Sequence, residues 1–98
     1  VVTSDKIGST PFLINDGKNG LIFRSENLES LYIKTKYLLD NPGQRRNISN
    51  YALFTMKNIW SPRKAAERLI SLSEALLQGK ATPFIDGPCS QALPIRHF

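Results

Sequence analysis

The segment Ile14-Asn15-Asp16-Gly17-Lys18-Asn19-Gly20-Leu21-Ile22-Phe23 constrains the fold more than any other part of the chain. Its Asp-Gly and Asn-Gly pairs supply the left-handed backbone angles of a tight turn, so the apolar residues on either side belong to separate elements. Leu21 to Phe23 is then a short strand. Val1-Val2-Thr3, apolar and β-branched, predicts another in the interior. Between the two lies a polar loop from Ser4, with Thr10 expected as the N-cap of a short helix and Pro11 in its first turn.

Three longer helices are expected next. Leu28, Leu31, Tyr32, Thr35, Leu38 and Leu39 recur at helical spacing as one buried stripe, capped by Asn27 or Ser25 with Glu26 and Glu29 at the positive end. Asn41-Pro42 opens a second helix with Ile48, Tyr51, Ala52, Thr55, Met56 and Ile59 as its stripe. Ser61-Pro62 opens the third, in which Ala65, Ala66, Leu69, Ile70, Leu72, Leu76 and Leu77 cover more than one face and require two packing neighbours. It stops at Gly79. Residues 80–98 hold three prolines, one glycine and no periodicity, which predicts either a disordered tail or an extended arm that needs a partner surface. Phe84, Ile85, Leu93, Ile95 and Phe98 are too apolar for an idle tail, and exchange of such an arm between copies would make a homodimer.

With 98 residues, 41% hydrophobic and 21% charged, the chain supports one modest core. The formal charge of +5 comes from Lys and Arg spread along the whole length, with Arg45-Arg46 and Arg63-Lys64 as the only doublets, which argues against nucleic acid as a partner. Such a surface suits anionic lipid or diphosphate ligands. A single Cys89 and a single His97 offer neither a disulfide framework nor metal-ligand spacing, so no metal and no cofactor are expected, and the reducing cytoplasm is the simplest setting. No apolar run reaches the roughly 18 residues of a membrane span, which limits expected membrane contact to a peripheral one. Because the chain opens without Met on an interior-strand sequence, it is expected to be cut from a longer protein.

The order of these elements resembles the end of the sugar-nucleotide domain in family 4 retaining glycosyltransferases of the GT-B fold. The residues that carry the resemblance are Val1-Val2-Thr3-Ser4-Asp5, the loop Ile7-Gly8-Ser9-Thr10-Pro11, the turn from Ile14 to Phe23, the break Leu38-Leu39-Asp40-Asn41-Pro42, and Trp60-Ser61-Pro62 to Leu77. It covers residues 1 to about 78. Pro83-Phe84-Ile85-Asp86-Gly87-Pro88-Cys89-Ser90 is similar to tails of the subset that builds bacterial surface polysaccharides such as capsule or lipopolysaccharide. The resemblance implies an α/β fold in which a partial Rossmann-like domain, residues 1–79, has short parallel strands followed by three helices, with residues 80–98 as the tail. It also implies a parent enzyme that transfers hexose from a nucleotide-sugar donor to a lipid-linked or polysaccharide acceptor, with retention and without a bound metal, at the inner face of the cell membrane.

In that family a pair of glutamates flanks the donor sugar and ribose just upstream of the first strand matched here. Neither is in this sequence, so no catalytic residue is assigned and the chain alone is expected to be inactive. Phe12 stands where many members place a Glu after the loop proline. The residues assigned to the donor phosphates are Gly8, Ser9 and Thr10: a leaving diphosphate needs anion-stabilising donors, and backbone N–H groups at a helix start together with two hydroxyls would supply them. On the residues alone, without the resemblance, the favoured reading is a plain turn in which Thr10 caps and Gly8 ends a strand. Lys6 is a further phosphate candidate, usually solvated in such loops. Asp16, Gly17, Asn19 and Gly20 are read as a turn and nothing else, and Tyr51, Phe54 and Trp60 as packing. The rival reading from another class is a non-enzymatic basic module that binds a phosphate group on a partner, and glutamates spaced by seven residues upstream of Val1 would decide against it.

Overall fold

The turn after Ile14 carries the chain back so that Leu21 to Phe23 runs beside Val2 to Ser4. A computed structural model describes residues 1–92. In order the elements are β1 (Val2–Ser4), α1 (Thr10–Leu13), β2 (Leu21–Phe23), α2 (Leu28–Asp40), α3 (Pro42–Asn58) and α4 (Pro62–Leu77). β1 and β2 form a parallel two-stranded sheet with Val2 opposite Leu21, Thr3 opposite Ile22 and Ser4 opposite Phe23. The architecture is mixed α/β. The chain divides into two units, Val1–Thr55 and Met56 onward.

In the first unit the turn does more than reverse the chain. Gly17 takes the left-handed angle expected of it, with φ of 83°. Asp16 Oδ1 accepts the Ile22 N–H at 2.8 Å, covering a strand donor that β1 does not meet. Asn19 is buried, its Oδ1 accepting from Asn15 N–H at 2.7 Å while its Nδ2 donates to Leu13 O at 2.9 Å and to Thr55 Oγ1 at 3.3 Å. Reading this segment as a turn and nothing else therefore understated it: the Asn19 amide links the turn, α1 and α3.

Local signals set the helix ends. Asn27 caps α2, its Oδ1 accepting from Ser30 N–H at 2.9 Å, and Ser61 caps α4 in the same way through Lys64 N–H at 3.2 Å. Gly79, at φ 73°, closes α4: Gly79 N–H donates to Leu76 O and Lys80 N–H to Ala75 O, the paired bonds of a left-handed glycine terminus.

Three expectations need correction. Thr10 is not the N-cap of α1 but its first residue, and Ser9 at the cap position makes no side-chain capping bond. β1 is half-buried rather than interior, and Val1 is exposed. On α2 only part of the expected stripe is covered: Leu31 and Leu38 are half-buried, whereas Leu28, Tyr32 and Leu39 are exposed. The reason is length. A three-residue strand spans about 10 Å and a 13-residue helix about 20 Å, so a sheet this small shields only a strip of α2.

In the second unit, α4 is likewise covered along one strip. Ala65, Arg68, Leu72 and Ala75 are half-buried, and Leu69, Ile70, Leu76 and Leu77 face outward. The stretch after Gly79 is tied back to this helix instead of trailing as an arm. Arg68 Nη1 donates to the carbonyls of Asp86 and Pro88, and its guanidinium lies 4.5 Å from the centre of the Phe84 ring. Thr82 Oγ1 donates to Cys89 O, and both N–H and Oγ of Ser90 donate to Gly87 O. Of the apolar residues expected to seek a partner, Phe84 is half-buried here and Ile85 is exposed, while Leu93, Ile95 and Phe98 lie outside the described residues.

Candidate functional site

The loop from Asp5 to Ser9 leaves the carboxyl end of β1 through two successive turns. Ile7 N–H donates to Ser4 O at 3.3 Å and Thr10 N–H to Ile7 O at 3.0 Å. Thr10 is only 3% exposed, its Oγ1 donating to Ser4 O at 3.1 Å and lying 3.3 Å from Thr3 Oγ1. Both its amide and its hydroxyl are engaged inside the chain. Of the three residues assigned to phosphate, Thr10 is thus the brace of the loop, and Gly8 and Ser9 are the exposed pair.

Among the described residues no acceptor meets the N–H groups of Gly8 and Ser9, nor does the Ser9 hydroxyl have a partner. Gly8 has no left-handed angle, and a Cβ placed on it would meet nothing within 4 Å. The fold itself therefore has no need of glycine there. α1, a single turn of four residues, is too short for peptide dipoles to sum at its start, which leaves two neighbouring backbone donors and a hydroxyl as the loop's chemistry.

Asp5 joins this loop to the one that follows β2. Its N–H donates to Phe23 O and its Oδ1 accepts the Ser25 N–H, both at 3.0 Å. The Ser25 amide, helped by the Ser25 hydroxyl and by the charges of Lys6 and Arg24, holds the Asp5 carboxyl below its ordinary range against an opposing desolvation. A carboxyl depressed on folding stabilises the native state above its unfolded pKa of about 3.9, and this contribution disappears as pH falls through the lower folded value. Denaturation of the wild type and Asp5→Asn from pH 7 to pH 3 should therefore show a constant stability difference above about pH 5 that changes only in acid. A difference that varies between pH 5 and 7 would mean that another group is responsible.

Other residues singled out in sequence have ordinary roles. Lys18 Nζ lies 5.5 Å from the centre of the Tyr51 ring, Arg45 Nη1 donates to Leu38 O at the end of α2, and Arg63 pairs with Glu67 at 3.0 Å. Trp60 is half-buried, and Tyr51 and Phe54 are exposed. Among the described residues no group of three His, Cys, Asp or Glu side chains could hold a metal ion, and no helix is long and apolar enough to cross a membrane.

The sequence reading missed a cleft of about 440 Å³ between the exit of β2 and α2, walled by Ile22, Arg24, Asn27, Glu29, Ser30, Ile33 and Lys34. One signal for it was available. Lys34 falls three residues after Leu31 and four before Leu38, on the inward stripe where an apolar residue is expected.

Compared with protein-family models, with curated proteins and with solved structures, the chain matches none.

Proposed function

We propose that this chain is the terminal part of the Rossmann-like donor domain of a retaining GT-B glycosyltransferase, one that moves a hexose from a nucleotide-sugar donor onto a polysaccharide or lipid-linked acceptor at the cytoplasmic face of the cell membrane. The observation that carries the reading is the parallel β1–loop–α1–β2 unit with the free amides of Gly8 and Ser9 at the carboxyl end of its sheet. Ligands of parallel α/β sheets sit at that end, in the loops that follow the strands. Adjacent backbone N–H groups meet phosphate oxygens without any reorganisation, which favours the charge that develops on a departing diphosphate. Thr10 holds the loop to Ser4, and Gly8 leaves room for the ligand where a side chain would stand. Acceptor and catalytic groups come from other parts of the parent enzyme.

The chain alone should bind uridine or guanosine diphosphate in the millimolar range, an affinity of about 4 kcal/mol, and turn over no nucleotide hexose. Amide shifts in an NMR titration should centre on Gly8 and Ser9, and Ser9→Pro, which removes one of the two free amides and the hydroxyl, should abolish them. Shifts confined to Arg45, Arg46 and Arg63 would defeat the phosphate-loop assignment. Turnover by the isolated chain would place catalytic groups within it and overturn the assignment of the chemistry elsewhere.

A further inference from the structure

Lys34 is half-buried on the inner strip of α2, and among the described residues it has no carboxylate partner and no hydrogen bond. The aliphatic stem of Lys34 serves the packing strip, and its ammonium lines the cleft beside it. Arg24, the first residue after β2, opens onto the same cleft, and among the described residues its guanidinium makes no hydrogen bond or ion pair, its charge acting on Asp5 only through space. Two acceptors between them are engaged within the chain: Ser30 Oγ accepts from Arg24 N–H at 3.0 Å, and Asn27 Oδ1 accepts from Ser30 N–H at 2.9 Å. These bonds fix the backbone of the cleft and leave the two cationic heads available. Ile22 and Ile33 give it apolar walls, and a volume near 440 Å³ is within the range of small-molecule sites.

We propose that this cleft is an anion site distinct from the Gly8–Ser9 loop, taking a phosphomonoester with a small apolar body, whose phosphate lies between Arg24 and Lys34 and whose body rests on Ile22 and Ile33. Glu29 on the same wall opposes the anion and tempers the affinity. The site stands independently of the transferase reading.

Titration of the whole chain with inorganic phosphate and then with phenyl phosphate, followed by amide NMR, tests it. Saturable shifts are expected at Arg24, Ser30 and Lys34, with phenyl phosphate binding more tightly than phosphate and Ile33→Ser removing that advantage. Arg24→Gln and Lys34→Gln should each weaken binding by about fivefold, and Glu29→Gln should strengthen it. Lys36→Gln, which removes a cation paired with Asp40 outside the cleft, should leave it unchanged. Shifts that do not saturate, shifts confined to Gly8 and Ser9, or equal weakening by Lys36→Gln and Lys34→Gln would each overturn the site. Because Arg24 is exposed, Arg24→Gln keeps the test open even where Lys34→Gln perturbs the helix.

Discussion

Asn19→Ala should destabilise the chain by about 2–3 kcal/mol, the cost of removing a buried amide together with the three part-buried hydrogen bonds it makes. The amide side chain satisfies Asn15 N–H and Leu13 O and reaches Thr55 on α3, so its removal unpairs polar groups on two segments at once. For a domain of this size the loss corresponds to a fall in Tm of about 10 °C or more. Asn19→Leu, close in volume but without polar atoms, separates hydrogen bonding from packing. It should be as damaging as Ala. A tolerated Leu would mean that Asn19 contributes by filling space, and the assignment of its amide as the link between turn and helices would fail.

The second large effect is expected at the contact between α4 and the stretch that follows it. Arg68→Ala removes the Nη1 hydrogen bonds to the Asp86 and Pro88 carbonyls and the cation over Phe84, and should free residues 80–92 from the helix. Gly87→Ala should act on the same contact from the other side. Gly87 sits at φ 77°, and a Cβ there would approach Arg68 Nη1 and Ile59 Cγ2 to 2.8 Å each. The left-handed angle alone costs a side chain about 1–2 kcal/mol. Limited proteolysis and amide exchange are the sensitive measurements: both variants should cut and exchange faster between residues 80 and 92 while α2 is unaffected. Unchanged protection in Arg68→Ala would show that the stretch is held by something other than this arginine.

The candidate site was legible only in part. The Gly8-Ser9-Thr10 segment between an apolar strand and a proline-led turn fits a plain turn as well as a phosphate loop, and the resemblance, not the residues, directed the assignment. The division of labour within it could not be read from the sequence. Thr10 was assigned to ligand because a threonine hydroxyl before a proline is equally suited to capping or to binding, and the choice depends on Ser4 O and Thr3 Oγ1, which come within reach only after β1 and the loop have folded. The cleft beside α2 was overlooked for a related reason: a lysine on an amphipathic helix is normally solvated, and only the packing of α2 beside β2 makes Lys34 half-buried.

What the sequence by itself determined is the local punctuation. Gly17 and Gly79 take the left-handed angles that only glycine accepts cheaply, Asn27 and Ser61 cap their helices, and Pro42 and Pro62 stand in first turns, because each of these outcomes depends on hydrogen bonds and steric contacts within a few residues. Tertiary structure alone decided which faces of those helices are covered and which polar side chains serve the fold. Asn19 meets a partner 36 residues away and Arg68 partners 18 and 20 residues away, and Leu28, Tyr32 and Leu39 remain exposed although their spacing matches that of the half-buried Leu31 and Leu38. Periodicity states that a helix has an apolar side. Whether that side is buried depends on the area of what packs against it, and a sheet of two three-residue strands is too small to cover it.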